Sequence, residues 1–316
     1  MNYDIIGDIH GCAKSLVSLL GKLNYKKNNG VYGHENRQVI FLGDFVDRGP
    51  YQREVINIVR PMIDNGSARA VMGNHEYNAI NYATADREGK DYLRQHNVKN
   101  DKQHQAFLNA YPFKSLDYLE IIEWFKTLPL WLDMGNFRVV HACWDQECMD
   151  RISDSILNSS IYDPRMDNDF LHASAVKGSA EFDDIEVILK GKEIKLPEGC
   201  SFKDKDGNLR HHIRIRWWDR SAKTYRDIFL GPESAKKEIP DEAIEPGLVT
   251  GYTESESPIF IGHYWIEDKE INGLSSNIAC LDYSIAKSGG RLVAYRFNGE
   301  SAINNDNFVW VPRQED

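Results

Sequence analysis

Three short apolar runs in the first third of the chain each break off at a glycine followed by an acid or an amide. Asp4 to Ile6 leads into Gly7-Asp8-Ile9-His10-Gly11, Val39 to Leu42 into Gly43-Asp44-Phe45-Val46-Asp47-Arg48-Gly49-Pro50, and Ala68 to Met72 into Gly73-Asn74-His75-Glu76. Between the runs the apolar spacing is helical: Leu16, Leu19, Leu20 and Leu23 recur within Cys12 to Leu23, and further helices are expected over Gln52 to Ile63 and Glu76 to Ala83. Strands separated by helices pair in parallel, because each crossover returns the chain to the same edge. Parallel strands end side by side, so loops distant in sequence line one cleft.

Downstream, residues 86–112 are polar and rich in Asn, Gln, His and Lys, which predicts an exposed insertion. A helix follows from Leu116 to Leu128, and then a hairpin of Leu130 to Met134 and Arg138 to His141 about Gly135-Asn136. From about 150 to 250 charge rises, Gly and Pro punctuate short elements, and a variable elaboration is expected. Strand-like alternation returns at Ile259 to Ile261, Ile278 to Leu281, Arg291 to Phe297 and Phe308 to Val311. One large domain over 1–316 accommodates all of this.

The net charge of -10 argues against a protein that coats nucleic acid non-specifically, since that requires an excess of Lys and Arg. No apolar run approaches a membrane span and no basic leader precedes Asp4, so a cytoplasmic location without membrane partners is expected. The five cysteines are scattered and form no C-x-x-C pair, which fits reduced thiols. Cys12 and Cys143 are read as small packing residues beside the motifs.

Asp8 and His10 stand two apart, so in an extended loop their side chains point the same way. A carboxylate with an imidazole suits manganese, iron or zinc better than magnesium alone. Flanking glycines let the backbone turn tightly and approach an anion. Along Arg210 to Trp218 the residues Arg210, His212, Arg214, Arg216 and Trp218 share one strand face, a basic stripe that reads equally as a solvated face or a substrate track. His34, His96, His104, His172, His211 and His212 are read as surface residues, and Trp124, Trp131 and Trp265 as core or cleft wall.

The ordered motifs G-D-x-H-G, G-D-x-V-D-R-G and G-N-H-E resemble the calcineurin-like metallophosphoesterases, and more narrowly their phosphoprotein-phosphatase-like branch. Val139-Val140-His141-Ala142, Gly262-His263, Leu281-Asp282-Tyr283-Ser284 and Gly289-Gly290-Arg291-Leu292 extend the likeness. It implies an α/β fold of two mixed β-sheets packed as a sandwich and flanked by helices, with a dimetal site at the C-terminal ends of the strands. It also implies two divalent or trivalent ions, manganese first and iron, zinc or nickel as alternatives. Asp8, His10 and the bridging Asp44 would hold one ion, and Asp44, Asn74, His141 and His263 the other. His75 would be the general acid with Asp47 orienting it, Arg48 would grip the phosphate, and Arg220, with Arg216 as fallback, would be the second phosphate-binding arginine.

The activity implied is hydrolysis of a phosphomonoester by metal-activated hydroxide, on a phosphorylated protein, a nucleotide or a nucleic-acid end. The alternatives are a dinucleoside polyphosphate or phosphodiester hydrolase and a catalytically silent scaffold, against which the intact His75 and ligand positions speak. Asp47 tilts the resemblance towards protein-phosphatase-like and polynucleotide-phosphatase-like members, because symmetrical dinucleoside tetraphosphatases typically lack an acid there. Tyr264-Trp265 replaces the usual Thr-Pro after Gly262-His263, and Cys143 the usual Gly after Ala142, so the rim beside the second metal should be reshaped.

Overall fold

Ile5 and Ile6 are neighbours in the strand Asn2–Ile6 and both are fully buried, one on each face of its sheet. Val39 and Ile40 in Arg37–Phe41 repeat the pattern, which is why both strands end in consecutive apolar residues. A computed structural model describes residues 2–157, 166, 168–204, 207–249 and 251–315. One sheet orders Asp282–Tyr283, Arg291–Phe297, Asn2–Ile6, Arg37–Phe41 and Ala68–Ala70, with Phe308–Pro312 also pairing with Arg291–Phe297. Its strands from the first third run parallel, Ile5 beside Ile40 and Phe41 beside Ala70, whereas Arg291–Phe297 runs antiparallel to Asn2–Ile6.

A second mixed sheet orders Ile278–Cys280, Ile259–Ile261, Arg138–Val140 and Trp131–Asp133; its first three strands run parallel, and the hairpin around Gly135 closes it. Ile5, Ile40, Val139, Phe260, Ala279 and Tyr295 meet in one buried cluster between the two sheets, so the expected sandwich forms. Helices cover the far faces: Ala13–Lys22 buries Leu16, Leu19 and Leu20, and Gln52–Asp64 buries Val55, Ile56, Val59 and Met62, each at helical spacing.

Three expectations change. Residues 86–112 are not simply exposed, because they contain the helix Val98–Ala110, capped by the Asn97 side chain, whose His104 and Phe107 are buried. The apolar face of that helix is narrow, and its many polar residues masked it in the sequence. The stretch from Arg210 to Trp218 is no single strand: Leu209–Arg210 pairs with Phe202–Lys203, and His212–Arg214 with Glu193–Lys195. Its alternation survives, with Ile213, Ile215 and Trp217 buried. The expected elaboration over 150–250 holds longer helices than its irregular pattern suggested, Ala180–Lys190 and part of Gln146–Leu157 among them. Within that stretch residues 158–165, 167, 205, 206 and 250 lie outside the described residues, as do residues 1 and 316 at the ends of the expected domain.

Candidate active site

The segments that follow Asn2–Ile6, Arg37–Phe41, Ala68–Ala70, Arg138–Val140 and Ile259–Ile261 carry Asp8 and His10, Asp44, Asn74, His141 and His263 respectively, Asn74 as the first residue of the helix Asn74–Ala83. They are laced together by their backbones. His10 N–H donates to the Asp44 carbonyl at 2.8 Å, Gly11 N–H to Phe45 at 2.8 Å, and Gly262 N–H to His141 at 2.8 Å. Such close approach leaves no room for side chains: a Cβ on Gly73 would stand 2.2 Å from Asp44 Oδ1, and one on Gly262 2.1 Å from Asp8 Oδ1. His10, Asp44, Asp47, Arg48, His263 and Trp265 all adopt positive φ, a left-handed conformation that costs a non-glycine residue on the order of 1–3 kcal/mol. Strain gathered at one cleft in this way is a mark of a functional site.

Asp44 is the centre of the cluster. Its Oδ2 lies 3.6 Å from His10 Nε2 and 3.4 Å from His141 Nε2, and its Oδ1 accepts the His75 N–H at 2.9 Å. It belongs to both groups of ligand atoms that converge within 4.8 Å, His10 with Asp44 and His75, and Asp8 with Asp44 and His141. Asn74 Oδ1 adds a contact to His141 Nε2 at 3.2 Å and to His263 Nδ1 at 2.9 Å. His10 Nδ1 faces the Val46 carbonyl at 3.0 Å and His141 Nδ1 the Leu42 carbonyl at 2.7 Å. A carbonyl only accepts, so each Nδ1 carries the hydrogen and each Nε2 turns towards Asp44, the orientation that metal-ligating histidines need.

The electrostatics of this cluster suit a cation. Burial pushes the Asp8 carboxyl up, as do Asp282 and Asp44, so like charges face one another. Burial lowers His10 to about 3, and burial with the neighbouring His141 lowers His263, which leaves both imidazoles neutral. Among the described residues, His10 Nε2 is buried with no hydrogen-bond partner. Crowded carboxylates, neutral imidazoles and a stranded lone pair are what a pair of metal ions would satisfy.

His141 behaves differently. Burial opposes its charge, but Asp44 and Asp8 together outweigh burial and raise it to about 10. Because the folded value lies above the ordinary 6.5, its proton stabilises the metal-free fold fully below 6.5 and is lost as pH climbs towards 10. A cation must displace that proton. Zinc binding at about pH 7.5 is therefore expected to release at least about one proton, read as the buffer dependence of the calorimetric enthalpy; no release would contradict it.

Beside the ligands, His75 Nδ1 lies 2.5 Å from Asp47 Oδ2, and His75 Nε2 faces Arg48 Nη2 at 3.2 Å. Burial disfavours the charged imidazole, yet Asp44 and Asp47 together raise His75 above its ordinary value. Burial works against the Asp47 carboxylate too, but His104 and His75 outweigh it and hold the acid well below the usual range. Arg48 lies over the Trp265 ring, 3.7 Å from its centroid, so Asp47 and Arg48 serve different partners rather than one another.

Arg214 and Arg216 of the basic stripe and Arg220 beyond it differ in placement. Arg214 Nη1 reaches His263 Nε2 at 3.3 Å; Arg216 is tied to Asp219 and to the Asp227 carbonyl; Arg220 lines the outer cleft. That cleft, of about 1580 Å³, runs from Arg48, Asn74 and His263 past Trp218, Tyr264 and Trp265. Tyr264 donates its hydroxyl to the Ala142 carbonyl at 2.9 Å, which anchors this side chain at the rim.

Sequence reasoning missed Glu76, Arg214 and His104. Glu76 lies within a recognised motif, and Arg214 lay on the noted stripe two positions from the fallback. His104 is not a surface residue: it is buried, and its Nδ1 lies 2.8 Å from Asp47 Oδ1. The spacing of His104, Phe107 and Tyr111 on one helical face was the signal available.

The sequence profile of the calcineurin-like phosphoesterases matches residues 1–225. The chain belongs to that family. This calcineurin-like phosphoesterase is 33% identical over 143 residues to a bis(5'-nucleosyl)-tetraphosphatase PrpE, termed asymmetrical, of Oceanobacillus iheyensis, covering 45% of the chain and 55% of that protein. With the protein of the same name from Bacillus subtilis it shares 35% identity over 145 residues, 45% of the chain and 57% of the relative. The chain thus spans little more than half the length of these curated relatives. A cold-active protein tyrosine phosphatase of known structure superposes with a TM-score of 0.50 at 17% identity, covering 95% of this chain and 77% of that one, which shows the shared fold. Among the described residues, no helix is long and apolar enough to cross a membrane.

Proposed function

We propose that this chain hydrolyses phosphate esters or anhydrides at a two-metal centre held by Asp8, His10, Asp44, Asn74, His141 and His263. The observation that carries the reading is the position of Asp44 in both ligand groups, with His75 at the edge of one of them and Arg48 against His75. Two cations there, manganese first, would clamp phosphate oxygens and lower the pKa of a water for in-line attack. Arg48 offers a planar guanidinium to the phosphate, held in place by Trp265. His75, whose hold on a proton Asp44 and Asp47 strengthen, would supply that proton to the departing oxygen. Asp47 holds the imidazole so that Nε2 faces the cleft.

For the substrate, the cleft favours a dinucleoside polyphosphate over the phosphorylated protein, nucleotide or nucleic-acid end. It is larger than one phosphoryl group requires, Arg214 and Arg220 continue it outwards from Arg48, and Trp218 and Trp265 present aromatic surfaces. The names of the curated relatives point the same way. The test is a competition among a dinucleoside tetraphosphate, a phosphopeptide and a 3'-phosphorylated oligonucleotide on the manganese-loaded chain. The tetraphosphate is expected to lead in kcat/KM by about tenfold or more. A leading phosphopeptide would overturn the substrate, and turnover indifferent to chelator would overturn the metal centre.

A further inference from the structure

Asp47 has little freedom except in its side chain. Its φ is +68°, and its N–H is held by Gln52 Oε1 at 2.8 Å. The carboxylate is claimed from both sides: Oδ2 faces His75 Nδ1 at 2.5 Å and Oδ1 faces His104 Nδ1 at 2.8 Å. An ionised carboxylate only accepts, so both imidazoles donate to it. The second donor comes from the helix Val98–Ala110, far along the chain from Asp47, and is packed between the rings of Phe107 and Tyr82, 4.8 and 5.2 Å away.

We propose that His104 is a positioning residue for catalysis: its Nδ1–H fixes the plane of the Asp47 carboxylate and thereby aims His75 Nε2 at the leaving-group oxygen. The inference rests on the hydrolase reading for its consequence and on the contact itself for its geometry. Among the described residues, His104 Nε2 is buried without a hydrogen-bond partner, and His104 belongs to neither group of ligands around Asp44. Without it, Asp47 Oδ1 would be a buried acceptor with no donor, and the carboxylate would turn to find one and carry His75 with it.

A packing role and a positioning role separate by leaving group. Expulsion of p-nitrophenolate needs no proton, whereas an alkoxide such as that of phosphoserine does. In the manganese-loaded full chain, His104→Leu is expected to lower kcat about tenfold for a phosphoserine peptide and less than about twofold for p-nitrophenyl phosphate. His104→Asn, whose amide can place an N–H near the lost Nδ1–H, is expected to restore most of the difference. Equal loss on both substrates, or none on either, overturns the inference.

A readout independent of turnover accompanies this. In the zinc-loaded chain, the His75 Nδ1–H proton resonance should shift or broaden by exchange in His104→Leu and persist in His104→Asn. A resonance unchanged in His104→Leu overturns the inference whether or not the chain is active. If the resonance responds but the wild-type chain hydrolyses no phosphate, the hydrolase reading fails and the positioning contact stands.

Discussion

Asp44→Asn is expected to lower kcat by about a thousandfold or more, equivalent to roughly 4 kcal/mol of transition-state stabilisation, and to leave the purified chain short of at least one metal equivalent. Among the described residues, no other belongs to both groups of converging ligands. The loss should come without unfolding. The amide oxygen can go on accepting the His75 N–H now held at 2.9 Å, and its NH₂ can donate to His10 Nε2, 3.6 Å from the oxygen it replaces. What disappears is the charge. Two imidazoles and an amide then compete for a cation that an anionic bridge would otherwise share. Metal content by mass spectrometry, kcat on a phosphate ester and the unfolding midpoint separate the effects. Full metal content with kcat within about tenfold of wild type would sink the bridging role.

Glu76→Ala is expected to destabilise the fold by about 4 kcal/mol, seen as a fall in the denaturant midpoint at unchanged slope. Glu76 is wholly buried, and its carboxylate ties two site loops together. Its Oε2 accepts the Asp44 N–H at 2.7 Å and the Gly73 N–H at 3.0 Å, and its Oε1 accepts the Phe45 N–H at 2.8 Å. Removing it strands three buried donors, each costing about 1–3 kcal/mol before any relaxation or entry of water. Glu76→Gln should lie between, because its amide keeps one acceptor and turns a donor against an N–H. The ligands themselves stay in place on the chain, so metal affinity should fall less than stability. A variant as stable as wild type would show that the loops hold without this brace.

Much of the scaffold was legible in order and kind. Ile259–Ile261 and the ends of the strands at 2–6 and 37–41 are buried on both faces, so their consecutive apolar residues stand out from the polar loops that follow. The site loops were legible for a related reason. Glycines at Gly73 and Gly262 are demanded by contacts near 2 Å, and those contacts lie beside residues whose chemistry is itself distinctive. His104 escaped because a helix with only a narrow buried face looks, in sequence, like a polar loop. Sequence could not rank Arg214, Arg216 and Arg220, which are chemically alike, and only the fold decides which one turns to His263.

The division follows from what each level of description can hold. Local pattern by itself determined the parallel strands, the loops at their ends and the residue types those loops bring together, because each is a property of neighbouring positions and backbone sterics. Which side chains clasp Asp47 from both sides, that Trp265 braces Arg48, and that Glu76 stitches two loops are properties of positions far apart along the chain. They are set by the packing of helices against the two sheets, and only the tertiary structure could decide them.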